Sequence, residues 1–191
     1  MEPIVNKVAD SEIEVLNLEE LWDGRPVREL DISEFLIEGL VLREKAFRAL
    51  VKEYDWKSFE GAHVAIGCTT DAIVPTWAYM LIASRLEGMA ASTAVGKRID
   101  LIRDQFTRTL DSLDWSRYQD AIVVVKGCGS ETVPENAYLL AARELKQVAR
   151  KVMYGEPCSS VPIWRRPADS FSKAEGAVAG SVAAKLPSKS R

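Results

Sequence analysis

A single histidine, only three cysteines and no long hydrophobic run narrow the reading before any motif is considered. The longest apolar stretch, Ala72 to Ala83, is too short and too interrupted to cross a bilayer as a helix. No basic region leads into an apolar run after Met1-Glu2-Pro3-Ile4, so the expectation is a chain that stays in the cytoplasm. In that reducing compartment an odd number of cysteines argues against a disulfide framework. A phosphate loop, a Gly-x-Gly-x-x-Gly fingerprint, a paired zinc knuckle and a Ser nucleophile elbow are also missing, which disfavours a nucleotide-dependent enzyme.

What is present suffices for one sizeable core: 191 residues, 47% of them hydrophobic and 28% charged. Charge is unevenly spread. Residues 1–163 hold 19 basic and 26 acidic side chains, a balance that repels nucleic acid, whereas the chain from Trp164 onward holds six basic and two acidic. Ser170 to Arg191 is rich in Ala, Ser, Gly and Lys and poor in large apolar residues, the composition of a disordered tail. A single α/β domain over residues 1–166 followed by a tail over 167–191 is therefore expected.

Displacing the sequence against itself by 59 residues, with a one-residue gap near the cysteines, reveals two segments that agree position by position. Phe47, Asp55, Trp56, Ala62, Val64, Gly67, Cys68, Val74, Pro75, Ala78, Tyr79 and Leu86 meet Phe106, Asp114, Trp115, Ala121, Val123, Gly127, Cys128, Val133, Pro134, Ala137, Tyr138 and Leu145. This pattern reads as an internal duplication of a helix-strand-helix-strand unit, with repeats at about 43–95 and 99–154. Helical spacing of apolar residues predicts helices over 43–54, 76–86, 99–113 and 135–149, the second and last opened by Pro75 and Pro134. Short apolar runs predict strands over 63–66, 91–95, 121–125 and 151–154. Strands alternating with helices imply a mostly parallel sheet flanked by helices. Before the repeats, 12–18 and 26–32 read as two strands around Trp22-Asp23-Gly24, an N-terminal hairpin or cap, and Asp31 with Glu34 resembles a capping box.

Cys68, Cys128 and Cys158 carry the functional signal. Each lies beyond a predicted strand and is followed within a few residues by Val-Pro: Val74-Pro75, Val133-Pro134 and Val161-Pro162. Loops at the carboxyl ends of parallel strands converge on a ligand crest, so this spacing predicts three thiols delivered to one edge. Thiolates held close together repel unless a cation binds them, which points to a metal or iron–sulfur site. Structural zinc takes four ligands, and Asp71, Glu131, Glu156 or water would supply the fourth; a [4Fe–4S] cluster would keep one iron open. His63 is set apart as a surface or strand-end residue, since five residues of strand at ~3.3 Å each separate it from the crest. Tyr79 and Tyr138, at matching places early in the Pro-opened helices, pack helix on helix or reach a cysteine loop. Lys126, just before Gly127-Cys128, would lower that thiol's pKa, and Arg165 and Arg166 would suit an anion. Trp56 and Trp115 read as core or boundary anchors.

The blocks Gly67-Cys68-Thr69-Thr70-Asp71-Ala72-Ile73-Val74-Pro75-Thr76-Trp77-Ala78-Tyr79, Lys126-Gly127-Cys128 and Tyr154-Gly155-Glu156-Pro157-Cys158-Ser159-Ser160-Val161-Pro162 resemble the bacterial domain of unknown function family 2480, over roughly residues 1 to 166. The resemblance supplies no catalytic residue and implies a setting near iron–sulfur assembly. Three readings follow from the sequence. In the first, Cys68, Cys128 and Cys158 bind one iron–sulfur cluster or zinc ion, and the protein is an accessory or carrier in cluster assembly whose partners are the assembly proteins. In the second, one cysteine is the nucleophile of a thiol- or persulfide-transfer enzyme. In the third, the protein is a non-catalytic module that docks a partner or a second copy of itself. None involves nucleic acid or a membrane.

Overall fold

The computed structural model describes residues 13–127 and 132–167, so the expected tail falls outside the described residues from 168 onward. Four α-helices stand where apolar periodicity places them. Helix α1 (Glu44–Glu53) buries Phe47 and Val51, one turn apart, and α3 (Arg98–Asp111) buries Leu101, Ile102, Phe106 and Leu110. Helices α2 (Thr76–Leu86) and α4 (Glu135–Val148) begin directly after Pro75 and Pro134. Proline there loses no hydrogen bond, because the first N–H groups of a helix have no internal acceptor. Their buried stripes, Ala78-Ile82-Leu86 and Ala137-Ala141-Leu145, recur every four residues, and the small alanines let each helix lie close to its strands.

The two expected tryptophan anchors do one job twice. Trp56 and Trp115 begin 3₁₀ turns capped by Asp55 and Asp114, and their indole N–H groups donate to the Val51 and Leu110 carbonyls at 2.8 and 3.1 Å. These bonds satisfy carbonyls at the carboxyl ends of α1 and α3 and fix how the chain enters the next strand.

Seven strands follow: β1 (Ile13–Asn17), β2 (Val27–Asp31), β3 (His63–Gly67), β4 (Ser92–Val95), β5 (Ile122–Lys126), β6 (Lys151–Glu156) and β7 (Ser159–Arg165). They form two sheets, β2-β3-β4 and β1-β5-β6-β7, parallel throughout except for the antiparallel pair β6–β7. His63 stands opposite Ser92 and Ile122 opposite Lys151, so the β3–β4 and β5–β6 registers are related by the same 59-residue displacement.

One expectation is corrected. The N-terminal strands form no hairpin: β1 lies parallel to β5 and β2 lies parallel to β3, each in its own sheet. The segment between them is a 3₁₀ turn (Leu18–Leu21) and an extended crossing, not a tight reversal. Val161-Pro162, unlike Val74-Pro75 and Val133-Pro134, precedes no helix. Pro162 lies within β7, on the edge of a hairpin with β6, where a missing N–H is tolerated.

Each sheet has its own core. Leu30, Ile32, Phe35, Phe47, Val64, Ile66 and Ile82 pack between β2-β3-β4 and helices α1 and α2. Leu16, Leu18, Phe106, Val123, Val125, Leu145 and Val152 pack between the other sheet and helices α3 and α4. Helix α3 also packs against β2, β3 and β4, so it is shared by both sheets. Parallel strands need cover on both faces, and α3 supplies it for the smaller sheet, whose Ala65 is fully buried.

Candidate functional site

The three cysteines meet different fates. Cys68 follows β3 and is half-buried; Cys158 lies in the β6–β7 turn and is exposed; Cys128 and Glu131 lie outside the described residues. Cys68 and Cys158 belong to different sheets, so the described residues do not show the expected convergence on one strand edge. Asp71 is exposed, and Glu156 is exposed with an oxygen 3.8 Å from the Lys126 ammonium, which occupies the cation expected to act on a thiol. Among the described residues no group of three or more His, Cys, Asp or Glu side chains is placed to hold a metal ion.

Cys68 instead lines a cavity of about 420 Å³ at the carboxyl ends of β2, β3 and β4. Glu29, Asp31, Glu34, Thr69 and Lys97 share its wall with Gly67 and Gly96. The glycines let two strands draw together at its floor. A Cβ on Gly67 would stand 3.1 Å from the Gly96 carbonyl oxygen, and one on Gly96, whose φ is +123°, would stand 2.6 Å from an Asp100 oxygen. The amino end of α3 opens beside this cavity, but its N–H groups are taken. Arg98 N–H donates to Glu29 and Lys97 N–H donates to Asp100, each at 2.9 Å. Carboxylates thus already use the helix dipole, and the net charge of the rim favours cations over anions.

The loop that carries the thiol is pinned by Asp31, a residue sequence reasoning read only as a cap. Its carboxylate accepts from the Ser33 N–H at 2.9 Å, from the Thr69 N–H at 3.1 Å and from the Thr69 hydroxyl. Partial burial pushes this carboxyl up. The hydrogen bonds from the Thr69 and Ser33 side chains and backbone outweigh that push and hold it at about 2. Thr70 completes the clamp. Its hydroxyl donates to the Gly39 carbonyl at 2.6 Å, which uses its one proton, so in the 3.4 Å contact with Cys68 the thiol S–H is the donor. Tyr79 stands near: burial first, then the neighbouring Cys68, push its phenol above its usual range, so it carries its proton at neutral pH. Tyr79 also packs against the core of the smaller sheet, beside Cys68 and Val74.

The lone histidine is not on the surface. His63 is 2% exposed at the start of β3, on the opposite end of the sheet from Cys68. Its Nδ1 lies 2.7 Å from the Ser92 hydroxyl and its Nε2 3.0 Å from Asp23. One neutral tautomer satisfies both contacts: Ser92 donates to Nδ1, and Nε2–H donates to Asp23. Burial pushes Asp23 up, but the hydrogen bond from His63, that from the Arg25 N–H and the nearby charges leave it below its ordinary value. Trp22 lies between His63, tilted against it at 5.0 Å, and Phe106, stacked on it at 6.1 Å, so these rings link β3 to the core around α3. Arg166, expected to suit an anion, is engaged by Asp120 and by the Val148 and Ala149 carbonyls.

Two further grooves, of about 560 and 460 Å³, flank the outer strands. Ile66, Thr76, Tyr79, Met80, Ala83, Thr93, Ala94 and Val95 line the first; Val125, Glu135, Tyr138, Leu139, Ala142, Val152, Met153 and Tyr154 line the second. Residue for residue the second set is the first displaced by 59. The grooves differ only beyond those shared walls, where Asp100, Asp104 and Arg108 border the first and Ile163 of β7 borders the second.

Searches of curated proteins and of solved structures return no significant match. A family model described as a protein of unknown function (DUF2480) matches residues 2–166. The blocks around Cys68 and Tyr79 and the strands that frame the cavity all fall inside that match, and the chain belongs to the DUF2480 family.

Proposed function

We propose that the protein performs thiol chemistry at Cys68, accepting a sulfane sulfur from a small persulfide in the cavity at the carboxyl ends of β2, β3 and β4. The observation that carries this reading is the contrast between two thiols. Cys68 lines a cavity with polar walls at the crest of a parallel sheet, whereas Cys158 stands exposed in a hairpin turn. In the step, the Cys68 sulfur attacks the outer sulfur of R–S–SH. A new S–S bond forms, the donor's S–S bond breaks with its electron pair on R–S, and the Cys68 proton ends on that leaving thiolate as R–SH. Asp31 and Thr70 hold the loop so that the sulfur is presented in one position, and Lys97 on the same wall supplies a positive charge for the thiolate that develops.

Alkylation of the intact protein with iodoacetamide, resolved by cysteine with mass spectrometry, tests this. Cys68 should react at least ~10-fold faster than the more exposed Cys158 where the cavity positions its sulfur for attack, and no faster where access alone sets the rate. A Cys68 that reacts more slowly than Cys158 overturns the proposal. The three-cysteine reading, with zinc or an iron–sulfur cluster on Cys68, Cys128 and Cys158, draws no support from the described residues. One metal site per chain, lost in each single Cys→Ser variant of protein purified without oxygen, would displace thiol transfer in its favour.

A further inference from the structure

Four strands stand at sheet edges: β1 and β7 in one sheet, β2 and β4 in the other. Edges are ordinarily blunted by charge or proline, because their unpaired peptide groups template association. Glu14 does this in β1, Arg28, Glu29 and Asp31 in β2, and Pro162 and Arg165 in β7. Strand β4, Ser92-Thr93-Ala94-Val95, has neither. The Gly96 N–H donates to the Ile66 carbonyl, so by strand alternation Ser92 and Ala94 turn their peptide groups toward β3 and Thr93 and Val95 turn theirs outward. The Thr93 carbonyl accordingly accepts from the Arg108 guanidinium at 3.3 Å. Beside this edge Val95 is 63% and Met80 68% exposed.

The chain itself shows what such an edge accepts. Strand β6 is the counterpart of β4 in register, and β7 covers its outer edge antiparallel, with Ile163 closing the groove that corresponds to the one beside β4. Among the described residues no strand plays that part for β4.

We infer that β4 pairs with β4 of a second copy of this chain, the two strands antiparallel about a two-fold axis, joining two three-stranded sheets into one of six. An isologous contact of this kind pairs the outward Thr93 N–H and the outward groups of Val95 on both copies, and takes over the Thr93 carbonyl that Arg108 holds in the single chain. The rim is of mixed sign, Asp100 beside Arg108, which pairs with Asp104 of its own helix, so a two-fold approach lets each Arg108 be shared between its own carboxylates and those of the other copy. Met80 and Val95 supply the apolar part of the contact.

Sedimentation of the full chain and of two variants tests the inference. Thr93→Pro removes an outward N–H that makes no ladder bond within the chain, and Val95→Lys sets like charges against each other across the two-fold axis. The wild type should sediment at twice its 21.2 kDa chain mass, and each variant at the single-chain mass with an unchanged circular dichroism spectrum, a dimer dissociation constant raised at least ~100-fold. Should Thr93→Pro disturb the fold, Val95→Lys decides alone. A wild type that stays at single-chain mass up to ~100 µM, or a folded variant that keeps the dimer, overturns the inference. The first of those results would leave the edge to a strand from another protein.

Discussion

Replacing Asp31 by asparagine tests the link between the two strands that frame the Cys68 cavity. The carboxylate at the end of β2 receives three hydrogen bonds, two of them from Thr69, which is 38 residues away in the chain and next to the thiol. Its pKa falls from 3.8 to about 2 on folding, a shift that corresponds to about 2 kcal/mol at full strength and, discounted for partial exposure, to about 1–2 kcal/mol. Because the folded value is the lower one, the stabilisation is complete above the unfolded value near 4 and is lost as the pH falls through about 2. Urea unfolding of wild type and Asp31→Asn should therefore differ by about 1–2 kcal/mol at pH 7 and converge between about pH 4 and pH 2. The loop should loosen at the same time, changing the alkylation rate of Cys68 while leaving that of Cys158 unaltered. A stability gap that is absent at pH 7, or that persists undiminished to pH 2, refutes the assignment of these hydrogen bonds to an ionised Asp31.

Other perturbations address the remaining parts of the structure. Phe47→Ala, at a fully buried position under β3, should cost about 3–5 kcal/mol in chemical denaturation through the cavity it leaves. Trp56→Phe removes the indole bond to the Val51 carbonyl but keeps most of the ring, and should cost about 1–2 kcal/mol by the same measurement. Gly96→Ala places a methyl group against Asp100 at a positive φ, and should lower the melting temperature and raise amide exchange in the first turn of α3, by about 1–3 kcal/mol.

Much of this architecture is legible in the sequence because its elements are locally determined. Phe47 and Val51, or Ala137, Ala141 and Leu145, announce their helices by spacing alone, and the run Ile122 to Val125 announces a covered strand. The partition into two sheets is not legible, because nothing in Ile13–Asn17 or Val27–Asp31 says which distant strand each will join. The Val-Pro of the third cysteine loop differs from the other two. Pro75 and Pro134 precede helix-compatible residues, whereas Pro162 is followed by Ile163 and Trp164 and then, within five residues, by Pro167. That leaves no room for a helix, and the β-favouring composition was the available sign of β7. The site behaves likewise. The Cys68 loop could be placed at a strand's carboxyl end, but its anchor on Asp31 and the burial of His63 against Trp22 depend on contacts that only the assembled fold creates.

The pairing of β1 with β5 also sets a schedule for synthesis. Ile13 leaves the ribosome 109 residues ahead of Ile122, its partner in the ladder. At ~5–20 residues per second, that separation means a wait of roughly 5–20 s. The β2-β3-β4 sheet has all its strands by residue 95 and can close during this interval. Until α3 is made Leu16 and Leu18, both destined for the core around α3 and α4, lack most of the side chains they pack with, and those of β5, α4 and β6 come later still. The first of the described strands to be made is thus among the last to be housed, and its neighbourhood is where a nascent-chain chaperone would find its longest opportunity.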